Sequence, residues 1–194
     1  RLSQKIGGEI VSADSMQIYK KCDIGTAKPS KTELNAVRHH MIDVAEPHES
    51  FSTAEYKSLA EKAIREGNPY DDVWLVFDHD NHEHRKTAFD QAKKEGFQVA
   101  FSAIAFETWF LMHFAKSGRA FQNAEELIKT LRKYYANYEK TKQNDFDNLK
   151  QRLKTGMKNT EWLRTQISPL NKHLTDHNPW TDVDLLVKDL LELK

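Results

Sequence analysis

The sequence predicts an α/β protein with a parallel-type sheet core and a C-terminal helical layer. Two apolar runs carry the sheet. Val73–Phe77 and Phe97–Ser102 are near-continuous, the pattern of strands buried on both faces. A polar helical stretch, about Glu83–Glu95, lies between them and is closed by Gly96 at a helix C′ position. Phe106–Phe114 then repeats apolar residues at helical spacing. Strand, helix, strand, helix is the order that builds a parallel sheet.

The helical layer follows. Asn123 with Glu126 reads as the start of a helix running to about Tyr135, and Tyr138–Lys154 and Glu161–His173 read as two more. Asn178-Pro179-Trp180-Thr181 leads into a last helix, Asp182–Leu193, with Thr181 as N-cap and Asp184 set against the helix dipole. Upstream, Glu9–Ser12 reads as a short buried strand, Asp23–Pro29 as a polar turn, and Ser52 with Glu55 as the capping box of a helix over Thr53–Arg65. Gly67, Asn68 and Pro69 end that helix and mark a boundary between two parts, 1–66 and 70–194.

Bulk properties exclude some classes. The 194 residues hold one ordinary domain or two small ones. Lys plus Arg and Asp plus Glu both number 29, so the whole chain lacks the basic surplus of a non-specific nucleic-acid binder, leaving only a local patch open. The basic run Lys129–Lys142, with Tyr134, Tyr135 and Tyr138 interleaved, is such a patch, against the more usual reading of a solvated helix face. Cys22 is the single cysteine, so no intrachain disulfide forms and a reducing, cytoplasmic setting is expected. No apolar run approaches the roughly 18 residues of a membrane span, and no signal peptide is visible.

Three ordered motifs occupy the first part: Gly8-Glu-Ile-Val-Ser-Ala-Asp-Ser-Met-Gln-Ile-Tyr19, Asp23-Ile-Gly-Thr-Ala-Lys-Pro29 and His39-His40-Met-Ile-Asp43. Together they resemble the tRNA dimethylallyltransferase family, whose members transfer an isoprenoid from dimethylallyl diphosphate to an adenine N6 of tRNA. The resemblance implies Asp14 as general base on the adenine amine. It implies Asp14, Ser15, Met16 and Gln17 as the tRNA-contacting stretch, and Thr26 and Lys28 as phosphate ligands. A carboxylate at the end of a strand suits the first role, because ligands of open α/β sheets sit at the carboxyl edge. The bare alternative is a strand-end aspartate capping a turn. The family's Gly-rich loop ending in Gly-Lys-Thr or Gly-Lys-Ser does not occur in these residues. That loop cradles the diphosphate through backbone N–H groups. The expectation is therefore a fragment by lineage, inactive on its own in prenyl transfer.

In the second part, Val73-Trp-Leu-Val-Phe-Asp-His-Asp80, Ser102, Phe106-Glu-Thr-Trp-Phe-Leu-Met-His-Phe114 and Asn178-Pro-Trp-Thr181 resemble the RloB-like family. That resemblance implies a Toprim-like core of phage-defence type, although the family's Ser-Asn-Pro is here Ser102-Ala103-Ile104. Side chains repeat direction every two residues along a strand, so Asp78 and Asp80 share a side and repel unless a cation joins them. With Glu107 opening the next helix, Asp78, Asp80 and Glu107 read as a catalytic acidic site, with Asp78 and Asp80 holding Mg²⁺ for phosphodiester cleavage. The alternative is an aspartate that caps the following helix. His79, His82 and His84 do not converge as zinc needs, and His113, six residues past Glu107, is off its helix face.

The whole then reads as a chimera joined near residues 65–70. On that reading the upstream strand completes the downstream sheet as one composite sheet. A non-catalytic remnant is the third reading.

Overall fold

The computed structural model of the protein describes residues 2–14, 16–26, 28–50, 55, 58–62, 72–79, 84–140, 145–167 and 172–192. The chain forms two compact units, residues 1–71 with 193–194, and residues 72–192.

In the first unit, helix α1 spans Leu2–Ile6, strand β1 Ile10–Val11, helix α2 Lys31–Ala36 and strand β2 His39–His40. Strands β1 and β2 pair in parallel, Ile10 with His39 and Val11 with His40. The strand is shorter and less buried than expected, since Ile10 is exposed. Helix α2 starts at a capping box that sequence reading missed. The Ser30 hydroxyl accepts from Glu33 N–H, and the Glu33 carboxylate accepts from Ser30 N–H at 2.8 Å. These bonds from Ser30 hold the Glu33 carboxyl below its usual pKa. Residues 55 and 58–62 are helical, as expected for that stretch, whereas Ser52 lies outside the described residues.

The second unit is built on strand β3 (Trp74–Asp78), helix α3 (Arg85–Lys94) and strand β4 (Gln98–Ala103). Strands β3 and β4 are parallel, in register from Trp74–Gln98 to Asp78–Ser102. Helix α3 ends where Gly96 takes φ 86°. Phe97 N–H then reaches the Ala92 carbonyl and Gly96 N–H the Lys93 carbonyl, closing the helix in a Schellman turn. A third strand, β5 (Trp180–Thr181), pairs antiparallel with β4 and puts it at the centre. Sequence reading took these two residues only as the lead into a helix.

Two expectations fail here. Strand β3 is an edge strand, with β4 its one neighbour among the described residues, so Val76 is 46% exposed rather than buried. The expected composite sheet is not found among the described residues, where β1 pairs with β2 in a two-stranded sheet.

Strand β4 sorts the core by side-chain parity. Val99, Phe101 and Ala103 join Phe89 and Ala92 of α3, while Ala100 faces Trp109 and Val183 on the other side. Strand β3 follows the same rule. Leu75 and Phe77 pack toward the α3 side, and Trp74 toward the other, where its indole N–H donates to Asp189 at 3.0 Å.

The helical layer comprises α4 (Glu107–Met112), α5 (Ala124–Leu131), α6 (Asp145–Leu149), a 3-10 turn (Lys150–Arg152), α7 (Leu153–Ile167) and α8 (Val183–Glu192). Asn123 caps α5 through Glu126 N–H at 2.9 Å, as predicted. The predicted helix over Tyr138–Lys154 is found only from Asp145 on, with residues 141–144 outside the described residues. Tyr138 is buried in the turns after α5, and α7 runs through the expected break to Ile167. His173 instead caps a 3-10 turn, Leu174–Asp176. Thr181 accepts from Val183 N–H at 3.3 Å, and Asp184 makes a two-pronged ion pair with Arg164 at 2.6 and 2.7 Å. Burial opposes the Arg164 charge, but Asp184 outweighs it and the pKa rises.

Two predictions follow from this packing. A Cβ on Gly156 would lie 3.0 Å from the His113 ring. That ring is buried, held by its Nδ1–H to the Trp109 carbonyl at 2.9 Å and set against Trp109 at 4.4 Å between centroids. Gly156→Ala should therefore lower the urea midpoint, by about 1–3 kcal/mol of overpacking strain that exceeds the helix-propensity gain. A stabilised variant would show that the ring yields.

Asp182 is buried with Trp180 Nε1–H donating to it at 3.0 Å, and burial pushes its pKa up to about 6. The folded state thus holds a proton that the unfolded state releases. This group's contribution is most favourable below the unfolded value of 3.8 and is lost as pH rises through about 6. Asp182→Asn should be more stable than the parent at pH 8, by up to about 3 kcal/mol. The gap should close by pH 4 in paired thermal melts, and a gap independent of pH would refute the assignment.

Candidate functional site

In the first unit, β1 delivers the chain to Asp14. The exposed Asp14 side chain turns back on its own backbone, its Oδ1 accepting from Met16 N–H at 2.8 Å and Gln17 N–H at 3.4 Å. This is an Asx-type turn. Ser15 lies outside the described residues. Met16 is 50% exposed. Gln17 ties the turn to the next loop, accepting from the Ser12 hydroxyl at 2.9 Å and donating to the Thr26 carbonyl at 3.1 Å.

The two residues matched to phosphate contacts are both engaged inside the unit. The Thr26 hydroxyl donates to the Cys22 carbonyl at 2.6 Å. The Lys28 ammonium donates to the Tyr19 carbonyl at 2.6 Å, to Asp43 at 2.7 Å and to Asp23 at 2.8 Å. An ammonium has three N–H bonds, so these acceptors account for its whole donor set. Burial works against the Lys28 charge, but the Asp23 and Asp43 carboxylates outweigh it and raise the pKa.

In the second unit, Asp78 closes β3 at the carboxyl edge. Its Oδ2 accepts from Phe106 N–H at 3.1 Å, tying the strand to the start of α4. Asp80, His82 and the residues between lie outside the described residues. Glu107 is adjacent to Phe106 in sequence, but its carboxylate enters the helical layer. It is 2% exposed, its Oε1 accepts from the Tyr138 hydroxyl at 2.8 Å, and its Oε2 has no partner. Such an orphaned acceptor costs about 1–3 kcal/mol. The donor types at this edge suit a hard cation, but no group of three or more His, Cys, Asp or Glu among the described residues is placed to hold a metal. His113 is buried against Trp109, and burial lowers its pKa.

A cleft of about 320 Å³ opens at the same edge, bordered by His79, Arg85, Gln122, His177 and the backbone around Ala103–Ile104. Strand parity directs His79 to the α3 side, opposite to Asp78. Arg85 joins the cleft wall to the 3-10 turn, its NH2 3.5 Å from Asp176 and its Nε donating to the Thr175 carbonyl at 3.4 Å. His177 stacks on Trp180 at 5.1 Å, and burial, with Lys172 nearby, lowers its pKa. Sequence reading missed Arg85, His177 and Tyr138 as site residues. The partners of Arg85 and Tyr138 are 90 and 31 residues away along the chain and leave no local spacing signal.

No helix among the described residues is long and apolar enough to cross a membrane.

Comparison with known proteins finds two kinds of likeness. The tRNA dimethylallyltransferase of Caldanaerobacter subterraneus subsp. tengcongensis is 54% identical over 65 residues, 34% of this chain and 21% of that protein. The tRNA dimethylallyltransferase of Bacillus licheniformis gives the same identity, length and coverage. The chain thus spans about a fifth of the length of these curated relatives. The crystal structure of tRNA delta(2)-isopentenylpyrophosphate transferase from Staphylococcus epidermidis aligns with 100% of this chain and 48% of its own, at 23% identity and a TM-score of 0.32. The sequence model of the family described as RloB-like protein matches residues 15–190, beginning well upstream of the motifs that first pointed to it. With that pattern spanning both units and nearly the whole length, the chain belongs to the RloB-like family.

Proposed function

We propose that this protein acts on RNA in two parts. Residues 1–66 are a transferase-derived segment that keeps the RNA-facing stretch Asp14, Ser15, Met16 and Gln17 but does not itself transfer an isoprenoid. Residues 70–194 form an RloB-like, Toprim-like domain whose chemistry lies at the carboxyl edge of β3 and β4. The observation that carries the first statement is the saturation of Lys28. With its three donors on Tyr19, Asp23 and Asp43, and the Thr26 hydroxyl on Cys22, neither side chain offers a donor to the diphosphate of dimethylallyl diphosphate. A leaving diphosphate without aligned donors gains no electrostatic stabilisation.

The second statement is supported by Asp78, set by the Phe106 N–H at the carboxyl end of β3. Asp78 and Asp80 are the residues that would hold Mg²⁺, which would polarise a phosphodiester for hydrolysis. Glu107, turned toward Tyr138, supports α4 rather than the ion. Arg85 borders the cleft and supplies a positive group for a phosphate oxygen.

Calorimetric titration with Mn²⁺ tests the metal reading. Binding is expected for the parent protein and not for Asp78→Ala, and equal heats from both would sink it. Titration with inorganic pyrophosphate is expected to give no binding, and prenyl transfer to tRNA is expected to stay at background. Lys28→Met should lower the unfolding midpoint by about 1–3 kcal/mol, because two carboxylates and a carbonyl lose their donor. Pyrophosphate binding that Lys28→Met abolishes would restore the phosphate role.

A further inference from the structure

The charge of this chain is unevenly placed. Residues 116–158 hold eleven Lys and Arg against five Asp and Glu, although the whole chain is neutral. A solvated helix face normally balances such charge with partners three or four residues away. Among the described residues, Lys129, Lys133, Lys140, Lys154 and Lys158 make no ion pair, and Lys154 and Lys158 are like charges spaced i, i+4 on α7. That spacing costs stability rather than adding it. The positive charge is therefore not explained by the fold's own needs.

Aromatic side chains are presented in the same region. Tyr134 is 54% exposed. Phe114 and Tyr135, both part-buried, stack at 5.6 Å with 26° between planes, and the exposed Arg152 guanidinium lies 5.0 Å from the Phe114 ring. Asn148 donates to the Tyr135 hydroxyl at 2.6 Å, joining α6 to this group. The turn that carries Tyr134 and Tyr135 is fixed at both ends. Arg132 Nε donates to the Tyr138 carbonyl at 3.1 Å, and the Tyr138 hydroxyl donates to Glu107 at the start of α4. A surface held in place before binding avoids part of the ordering cost.

We propose that the helical layer carries a binding surface for single-stranded RNA, with Tyr134 as the stacking face, the Phe114–Tyr135 pair as its packed support and Lys133 and Arg152 as phosphate contacts. Unneutralised cations beside an exposed aromatic face are what a sequence-tolerant single-strand surface requires, one set for the backbone and one for the bases. None of these residues lines the cleft at the carboxyl edge, and their binding needs no metal.

The test is fluorescence anisotropy with a labelled oligouridylate of roughly 12 nucleotides at about 50 and about 200 mM salt. Binding is expected, weakening at the higher salt. Lys133→Glu with Arg152→Glu should weaken it at least about tenfold by removing two phosphate contacts and adding two repulsive charges. Tyr134→Ala should weaken it about fivefold or more. Asp78→Ala should leave it unchanged, which separates this surface from the metal reading. Lys133, Tyr134 and Arg152 are exposed, and unchanged circular dichroism would show the fold intact. An inorganic polyphosphate of similar length should bind more weakly and ignore Tyr134→Ala. No oligouridylate binding at the lower salt, or equal binding of polyphosphate, would overturn the proposal.

Discussion

The second unit depends on the burial of β4. Five consecutive residues, Val99–Ala103, are buried, so the strand needs cover on both faces and a hydrogen-bonding neighbour on both edges. Strand β3 fills one edge in parallel, and the two-residue β5 fills part of the other in the opposite direction. Helix α3 covers one face through Phe89 and Ala92, and α4 and α8 cover the other through Trp109 and Val183. The Ser102–Thr181 hydroxyl pair at 2.8 Å satisfies the one polar side chain that β4 buries. The carboxyl edge of the sheet, where Asp78 and the cleft lie, is a consequence of this arrangement rather than a separate construction.

The same constraint explains which parts of the fold were legible. Strands β3 and β4 announce themselves because apolar runs bounded by polar residues have few other solutions, and Gly96 marks the end of α3 because only glycine takes that φ without strain. Strand β5 was not legible. Two residues give no period, and Trp180 and Thr181 become a strand only because β4 needs a second neighbour. Tyr138 likewise sits in the turns after α5, with a hydroxyl partner 31 residues away in Glu107. That bond belongs to the packed layer and leaves no trace in local spacing. Asp78 was placed at its strand end because the apolar run stops there, whereas the turning of Glu107 away from that edge required its buried partner to be seen.

In the first unit the organising group is Lys28. One ammonium draws together the Tyr19 carbonyl, Asp23 and Asp43, and Gln17 links the Asp14 turn to the same loop. Residues with positive φ, Lys21, Met41 and Asp43, occur in the segments this hub connects. Among the described residues of this unit, backbone pairing is a two-stranded sheet of two residues per strand and a Tyr19–Ala45 bridge, and side-chain donors add much of the connection.

The two likenesses of this chain overlap, since the RloB-like pattern begins at residue 15 and so takes in most of the transferase-like motifs. Likeness in sequence preserves residue types and spacing, but chemistry depends on what those residues touch. Lys28 and Thr26 stand where the transferase motif places them, and each donor they carry ends on an oxygen of the same unit. Asp14 is different, because only its Oδ1 is committed and its side chain remains exposed. The phosphate-type donors of this motif are thus spent inside the unit, while its carboxylate faces outward. What separates Asp14 from Lys28 and Thr26 is their hydrogen-bond partners rather than their residue types.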